Sequence, residues 1–149
     1  MQAAADTDFE IEAKFDSLVT EGYQDQGIII EESSNNWLRF DVYSNGSQTN
    51  LFAASVVNGA PSVKISTTIT TAAPVYLNVS RTGDVWDFSY SFDGVSWTLA
   101  TSFSHVMAVT AVGPYGGNFD TGSNAPAHTA VVDYFFNTAL PIIPEDGET

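Results

Sequence analysis

The chain contains no cysteine, which removes disulfides, thiolate metal centres and thiol nucleophiles together and leaves compartment redox state unreadable. Basic residues are almost as scarce: Lys14, Arg39, Lys64 and Arg81 stand against 18 acidic residues, a formal net charge of −14. Such a surface repels phosphate backbones and anionic headgroups. The expected partners therefore include no nucleic acid and no membrane insertion, while neutral polysaccharide remains compatible. No apolar run approaches the roughly 20 residues of a membrane-spanning helix, and runs of good helix formers are missing. The only histidines are His105 and His128. Neither lies beside a Gly-x-Ser-x-Gly elbow, so a serine-hydrolase base is lacking, and without thiols the two cannot build a convincing transition-metal cluster. No repeat of propeller or solenoid period is visible.

What the chain does contain is alternation. Residues Pro74 to Leu99, PVYLNVSRTGDVWDFSYSFDGVSWTL, carry the clearest pattern. Val75, Leu77 and Val79 alternate with Tyr76, Asn78 and Ser80, the period of a strand with one buried face. After the polar turn Arg81-Thr82-Gly83-Asp84 the alternation restarts as Trp86, Phe88, Tyr90 and Phe92. Asp93-Gly94 then predicts a type I′ hairpin into a return strand with Trp97 and Leu99. Trp86 and Trp97 are both assigned to the core.

Upstream, Phe9, Ile11, Ala13 and Phe15 alternate with Glu10, Glu12, Lys14 and Asp16, and Gly27 to Ile30 reads as a central strand. Beyond the turn cluster Ser33 to Asn36, Leu38, Phe40 and Val42 form the core face of a strand whose other face carries Trp37, Arg39, Asp41 and Tyr43. Asn45-Gly46 and Asn58-Gly59 predict two further hairpins. Val106 to Val112 reads as a strand, Tyr115 to His128 as a long polar loop and Thr129 to Asn137 as the last strand. The expected fold is all-β, a two-sheet antiparallel β-sandwich of about ten to twelve strands. It fills a single domain over 1–138, with 139–149, ALPIIPEDGET, an acidic proline-containing linker or tail.

The run Arg81-x-Gly-Asp-x-Trp-x-Phe-x-Tyr-Ser-x-Asp-Gly-x-x-Trp97, followed by Val112-Gly-x-Tyr115 and Val131-Val-Asp-Tyr-Phe135, resembles the concanavalin A-like (laminin G-like) jelly rolls. More closely, it resembles the accessory sandwiches of bacterial glycoside hydrolases. The resemblance implies a jelly roll and a non-catalytic carbohydrate-binding or accessory module of a secreted bacterial polysaccharide-degrading or adhesive protein. It also implies a covalently linked catalytic or adhesin domain. Met1 to Ala5 has neither the basic nor the apolar region of a signal peptide, so any such signal is absent from this sequence. Two alternatives stay open: a structural sandwich packed against a catalytic domain, and a divergent glycoside hydrolase. Laminarinase-like relatives place Glu-x-Asp-x-x-Glu on one strand. Nothing here matches, since Glu10 and Glu12 face solvent and Glu31 and Glu32 point to opposite sides. No cofactor is required. The resemblance allows a structural calcium, for which Asp6, Asp8, Asp120 and Asp133 are weak candidates.

Sugars offer apolar C–H faces that stack on Trp and Tyr rings, ringed by hydroxyls that bond to carboxylates, amides and guanidinium groups. Trp37, Arg39, Asp41 and Tyr43 present such a set on a strand whose other face is already apolar. Tyr76 and Asn78 form a similar outward set, and Tyr115 and Asn118 fall in the long loop, where binding residues collect. These eight are the candidate ligand-binding residues for a neutral polysaccharide or oligosaccharide.

Overall fold

A computed structural model describes residues 1–119 and 126–139. It is a two-sheet antiparallel β-sandwich of the jelly-roll kind, with no helix among the described residues. One sheet has six strands, ordered β1 (Gln2–Ala3), β10 (Ala111–Asn118), β3 (Gln24–Ser33), β4 (Asn36–Ser44), β5 (Thr49–Val57) and β6 (Ala60–Ile69). The other has five, ordered β11 (Val132–Asn137), β2 (Phe9–Phe15), β7 (Val75–Thr82), β8 (Val85–Ser91) and β9 (Thr98–Ser104).

The core lies where the predicted apolar faces meet. Leu38, Phe40 and Val42 of β4 are buried against Leu77 and Val79 of β7 and Trp86 and Phe88 of β8. The Phe40 ring lies 5.2 Å from Phe88 and 6.3 Å from Trp86, so aromatic packing joins the two sheets at their centre. Period-2 alternation then fixes the remaining face of each sheet as the outer one. Asn58-Gly59 closes the two-residue hairpin its sequence predicts, both residues at positive φ, between Val57 and Ala60.

Four local expectations are corrected. Asp93-Gly94 does not close a two-residue turn, because the Asp93 carboxylate accepts the Val95 and Ser96 amides and Ser91 Oγ accepts those of Asp93 and Gly94. These side-chain bonds replace ladder bonds and stretch the connection over 92–97. Trp97 consequently leaves the core and stands half-buried on the outer face. Val106 to Val112 is mostly irregular: Met107 and Val109 are buried as in a strand, but the Met107 carbonyl accepts from Arg81 Nη2 and the Val109 amide donates to Asp6 Oδ1. The strand begins instead at Ala111 and carries Tyr115 and Asn118, which the sequence had placed in a loop. Except for Ala139, the tail reading falls outside the described residues, as does Asp120.

Candidate functional site

On the outer face of the six-stranded sheet, strand register lines up the predicted residues with others that sequence reasoning passed over. Tyr115, Gly27, Asp41 and Phe52 form one cross-strand row, and Asp25, Tyr43 and Asn50 form the next. Residues opposed in an antiparallel ladder share a face. At Gly27 an added Cβ would collide with the Phe40 carbonyl and the Asp41 side chain, so only glycine lets Asp41 lie flat against β3.

Arg39, two residues before Asp41 on β4 and paired with Ile29 and Ala54, is the centre of the cluster these rows form. Its Nε donates to Asp41 Oδ2 at 2.6 Å, and its Nη2 lies 3.4 Å from Asp25 Oδ2. The guanidinium sits 4.7 Å from the Phe52 ring centroid and 5.4 Å from that of Phe119. Cation–π attraction to both rings therefore adds to the ionic bonds. Tyr43 meets both of these rings at 5.7 Å and lies 3.2 Å from Ser66 Oγ through its hydroxyl. Tyr23, in a left-handed backbone conformation, places its ring 5.0 Å from Phe119.

The predicted residues divide into supports and surface. Asp41 is 0% exposed and Asp25 is buried, whereas Trp37, Arg39 and Tyr43 remain partly accessible. Asp41 shares the outer side of the sheet, as the alternation implies, but it is covered and braces Arg39 instead of reaching solvent. Tyr115 points its hydroxyl at Asp25, 3.4 Å away. Asn118 is exposed, and its amide is engaged by the Pro126 carbonyl at 2.6 Å. Trp37 occupies the far end of the same face, opposite Glu31 and Val56.

Burial controls the electrostatics. It pushes the Asp41 carboxyl up to about 6, against the opposing pull of Arg39, and raises Asp25 in the same way. Burial works against the charge on Arg39 too, but its hydrogen bond to Asp41 prevails and holds the guanidinium protonated. Two carboxylates around one guanidinium give the cluster a net negative charge, which disfavours anionic ligands.

Tyr76 and Asn78 lie elsewhere, on the outer face of the five-stranded sheet, so the eight candidates do not converge on one site. Around them are Glu10, Glu12 and Lys14 of β2 and Tyr134 of β11, joined by register. Asn78 Nδ2 donates to Glu10 Oε1 and the Tyr134 hydroxyl to Glu12 Oε2, each at 2.7 Å. The two glutamates that the sequence placed toward solvent thus hold this face in order.

Of the calcium candidates, Asp120 lies outside the described residues and the other three are engaged by donors of the chain itself. Asp6 pairs with Arg81 and the Val109 amide, Asp8 accepts the Gly83 amide and Asp133 pairs with Lys14 at 2.7 Å. Among the described residues no group of three or more His, Cys, Asp or Glu side chains is placed to hold a metal ion. Asp25 and Asp41 share Arg39, but neither is accessible enough to attack or protonate a substrate.

The residues missed from sequence were Asp25, Phe52 and Phe119 on one face, and Trp97 and Tyr134 on the other. Phe52 faces Asp41 because the connection after Ser44 spans four residues, 45–48, with the Asn45 amide bonded to the Gln48 carbonyl; a two-residue Asn45-Gly46 turn of the predicted kind would have set Asn50 there instead.

The family model described as "Protein of unknown function (DUF1349)" matches residues 1–119. No curated protein matches. Among solved structures, the GH43 BlXynB protein from Bacillus licheniformis is similar at a TM-score of 0.74 and 18% identity, covering 89% of this chain and 28% of that one. A functionally unknown protein from Saccharomyces cerevisiae gives 0.67 and 17%, covering 77% and 62%. The carbohydrate binding module CBM66 from Bacillus subtilis gives 0.56 and 19%, covering 90% and 76%. At these identities the likeness is one of fold, the concanavalin A-like jelly roll that the sequence motifs imply. The chain spans 28% of the length of the GH43 protein.

Proposed function

Since the chain belongs to the DUF1349 family and carries a braced arginine among aromatic rings on one sheet, we propose that it is a non-catalytic module that binds neutral glycan on the outer face of its six-stranded sheet. The observation that carries this reading is Arg39, fixed by Asp25 and Asp41 and framed by Phe52, Phe119 and Tyr43. A guanidinium already held in place loses little conformational entropy when it meets a ligand hydroxyl, and the rings and Trp37 offer stacking surface. The resemblance of the fold to a carbohydrate binding module supports the ligand class. The short span relative to the GH43 protein supports attachment to a larger, exported polysaccharide-processing chain that does the chemistry.

Affinity electrophoresis through gels containing xylan, mixed-linkage β-glucan or galactomannan tests the proposal. Retardation with dissociation constants of about 1 μM to 1 mM is expected, weakened about tenfold in Trp37→Ala at an unchanged melting temperature. Wild-type mobility unaffected by all three polymers removes its support. A spacer that binds no sugar is the competing reading, favoured by the same short span. It requires the Trp37 face to become protected in the longer protein, which limited proteolysis of both forms reads directly.

A further inference from the structure

The outer face of the five-stranded sheet carries a feature of its own. Four rings cross it in unbroken contact: Trp97 lies 6.5 Å from Tyr76, Tyr76 lies 6.3 Å from Tyr134, and Tyr134 lies 5.2 Å from Phe136. All four are partly exposed. The row runs across the strands, from the connection after β8, over β7 and β2, to the edge strand β11. Its rings are fixed by other groups: Gly94, at positive φ, packs on the Tyr76 ring, the Tyr134 hydroxyl bonds Glu12, and Lys14 Nζ lies 5.8 Å from the Tyr76 centroid.

The core needs none of these side chains, because Leu77, Val79, Trp86 and Phe88 already fill the inner face of the same strands. A sheet's solvent side that carries a continuous row of aromatic rings calls for an occupant. The chemistry between the rings selects it. Protein interfaces exclude charged side chains from their cores, yet Glu12, Glu10 and Lys14 stand within and beside this row. Glu12 and Glu10 each spend one oxygen on Tyr134 or Asn78, and among the described residues the second oxygen of each accepts no further hydrogen bond. Rings interleaved with hydrogen-bond acceptors match a polymer with apolar faces and hydroxyl edges.

We infer that the outer face of the five-stranded sheet is a second glycan-binding surface, back to back with the Arg39 face, and that the module can join two polysaccharide chains. The surface takes extended neutral polysaccharide, since Glu10, Glu12 and Asp133 would repel uronates and sulfates. It uses no residue of the Arg39 cluster, so the two faces can be removed separately.

The test uses the intact chain, wild type, Trp37→Ala, Trp97→Ala and the double variant, with soluble xylan, mixed-linkage β-glucan and galactomannan as probes. Gel retardation reads binding, turbidity of the polymer solution reads cross-linking, and melting temperature reads the fold. With two faces, at least one polymer clouds with wild type and stays clear with either single variant. Each single variant is still retarded through its remaining face, Trp37→Ala about tenfold more weakly than wild type, and only the double variant loses retardation altogether. Tyr134→Phe, which keeps the ring and frees Glu12, serves as a second probe of the face and should weaken retardation in the Trp37→Ala background. Trp97→Ala with wild-type turbidity and retardation overturns the inference while leaving the Arg39 reading intact. The reverse, wild-type behaviour in Trp37→Ala and complete loss in Trp97→Ala, leaves this face standing and refutes the Arg39 reading. Self-association by sedimentation velocity that Trp97→Ala abolishes and no polymer competes away would identify a protein-docking face and overturn the inference as well.

Discussion

Asp41 gives one carboxylate oxygen to Arg39 Nε at 2.6 Å, while its other oxygen, Oδ1, is buried without a hydrogen-bond partner among the described residues. A fully buried carboxylate so incompletely satisfied prefers its proton, and its pKa stands at about 6 against an ordinary 3.8. The sign follows from linkage: a carboxyl whose folded pKa is raised favours the fold below its unfolded value and loses that contribution as pH rises through the folded one. Between pH 7.5 and 4 Asp41 therefore adds stability as the solution is acidified, on the order of 2 kcal/mol. Urea denaturation at pH 7.5 and 4.5 should show wild type gaining relative to Asp41→Asn, which cannot titrate. Parallel pH dependences of the two proteins would refute the raised pKa.

Removing Arg39 acts on the same cluster from the other side. Arg39→Ala leaves Asp41 buried beside Asp25 with no countercharge, at a cost of about 3–5 kcal/mol. Deleting both charges in Arg39→Ala/Asp41→Ala removes the unpaired anion along with its partner. Its penalty should fall at least about 1 kcal/mol short of the sum of the single variants. Additive costs from a double-mutant cycle in urea would mean that the pair is not coupled as the geometry requires.

How far the sequence reaches is clearest along one strand. Alternation placed Leu38, Phe40 and Val42 in the core and Arg39 and Asp41 on the opposite side, and both placements hold. Alternation says which side of a sheet a residue takes and nothing about what covers that side, so Asp41 reads as exposed and is buried. The covering groups, Phe52 on β5 and Phe119 just past the end of β10, come from segments that only the register brings near. Met107 and Val109 show the converse, a strand-like pattern whose backbone is claimed by Arg81 and Asp6 from 26 and 103 residues away. Trp97 was misplaced because Asp93 and Ser91 turn their side chains onto the loop backbone, which dipeptide turn signals do not reveal.

The Arg81 contacts give a separate expectation. Arg81 donates to the Met107 carbonyl at 3.0 Å and the Gly83 carbonyl at 2.9 Å, pairs with Asp6, and lies 5.4 Å from the Trp86 ring. It holds the N-terminal segment and the 105–110 connection against the sheet. In Arg81→Ala the Met107 carbonyl loses a charged donor, costing about 1–3 kcal/mol. Hydrogen exchange at the Val109 amide should accelerate at least tenfold while that of Leu77, in mid-sheet, follows only the global loss. Equal acceleration at both amides would deny Arg81 a local role.

The tryptophans settle which side of the five-stranded sheet each occupies. Trp86 is 0% exposed, contacts Phe9 and Phe40, and donates through Nε1 to the His105 carbonyl at 2.9 Å. Trp86→Ala opens a cavity at the junction of the sheets and strands that carbonyl, which predicts a loss of about 3–5 kcal/mol. Trp97 touches Tyr76 from the outer face and supports no buried group, so Trp97→Ala should cost less than about 1 kcal/mol. Tryptophan fluorescence supplies a second readout. The emission lost in Trp97→Ala should be the red-shifted, acrylamide-quenchable fraction, and that lost in Trp86→Ala the blue-shifted, protected one. A large destabilisation in Trp97→Ala, with loss of protected emission, would return Trp97 to the core and dissolve the aromatic row across the sheet.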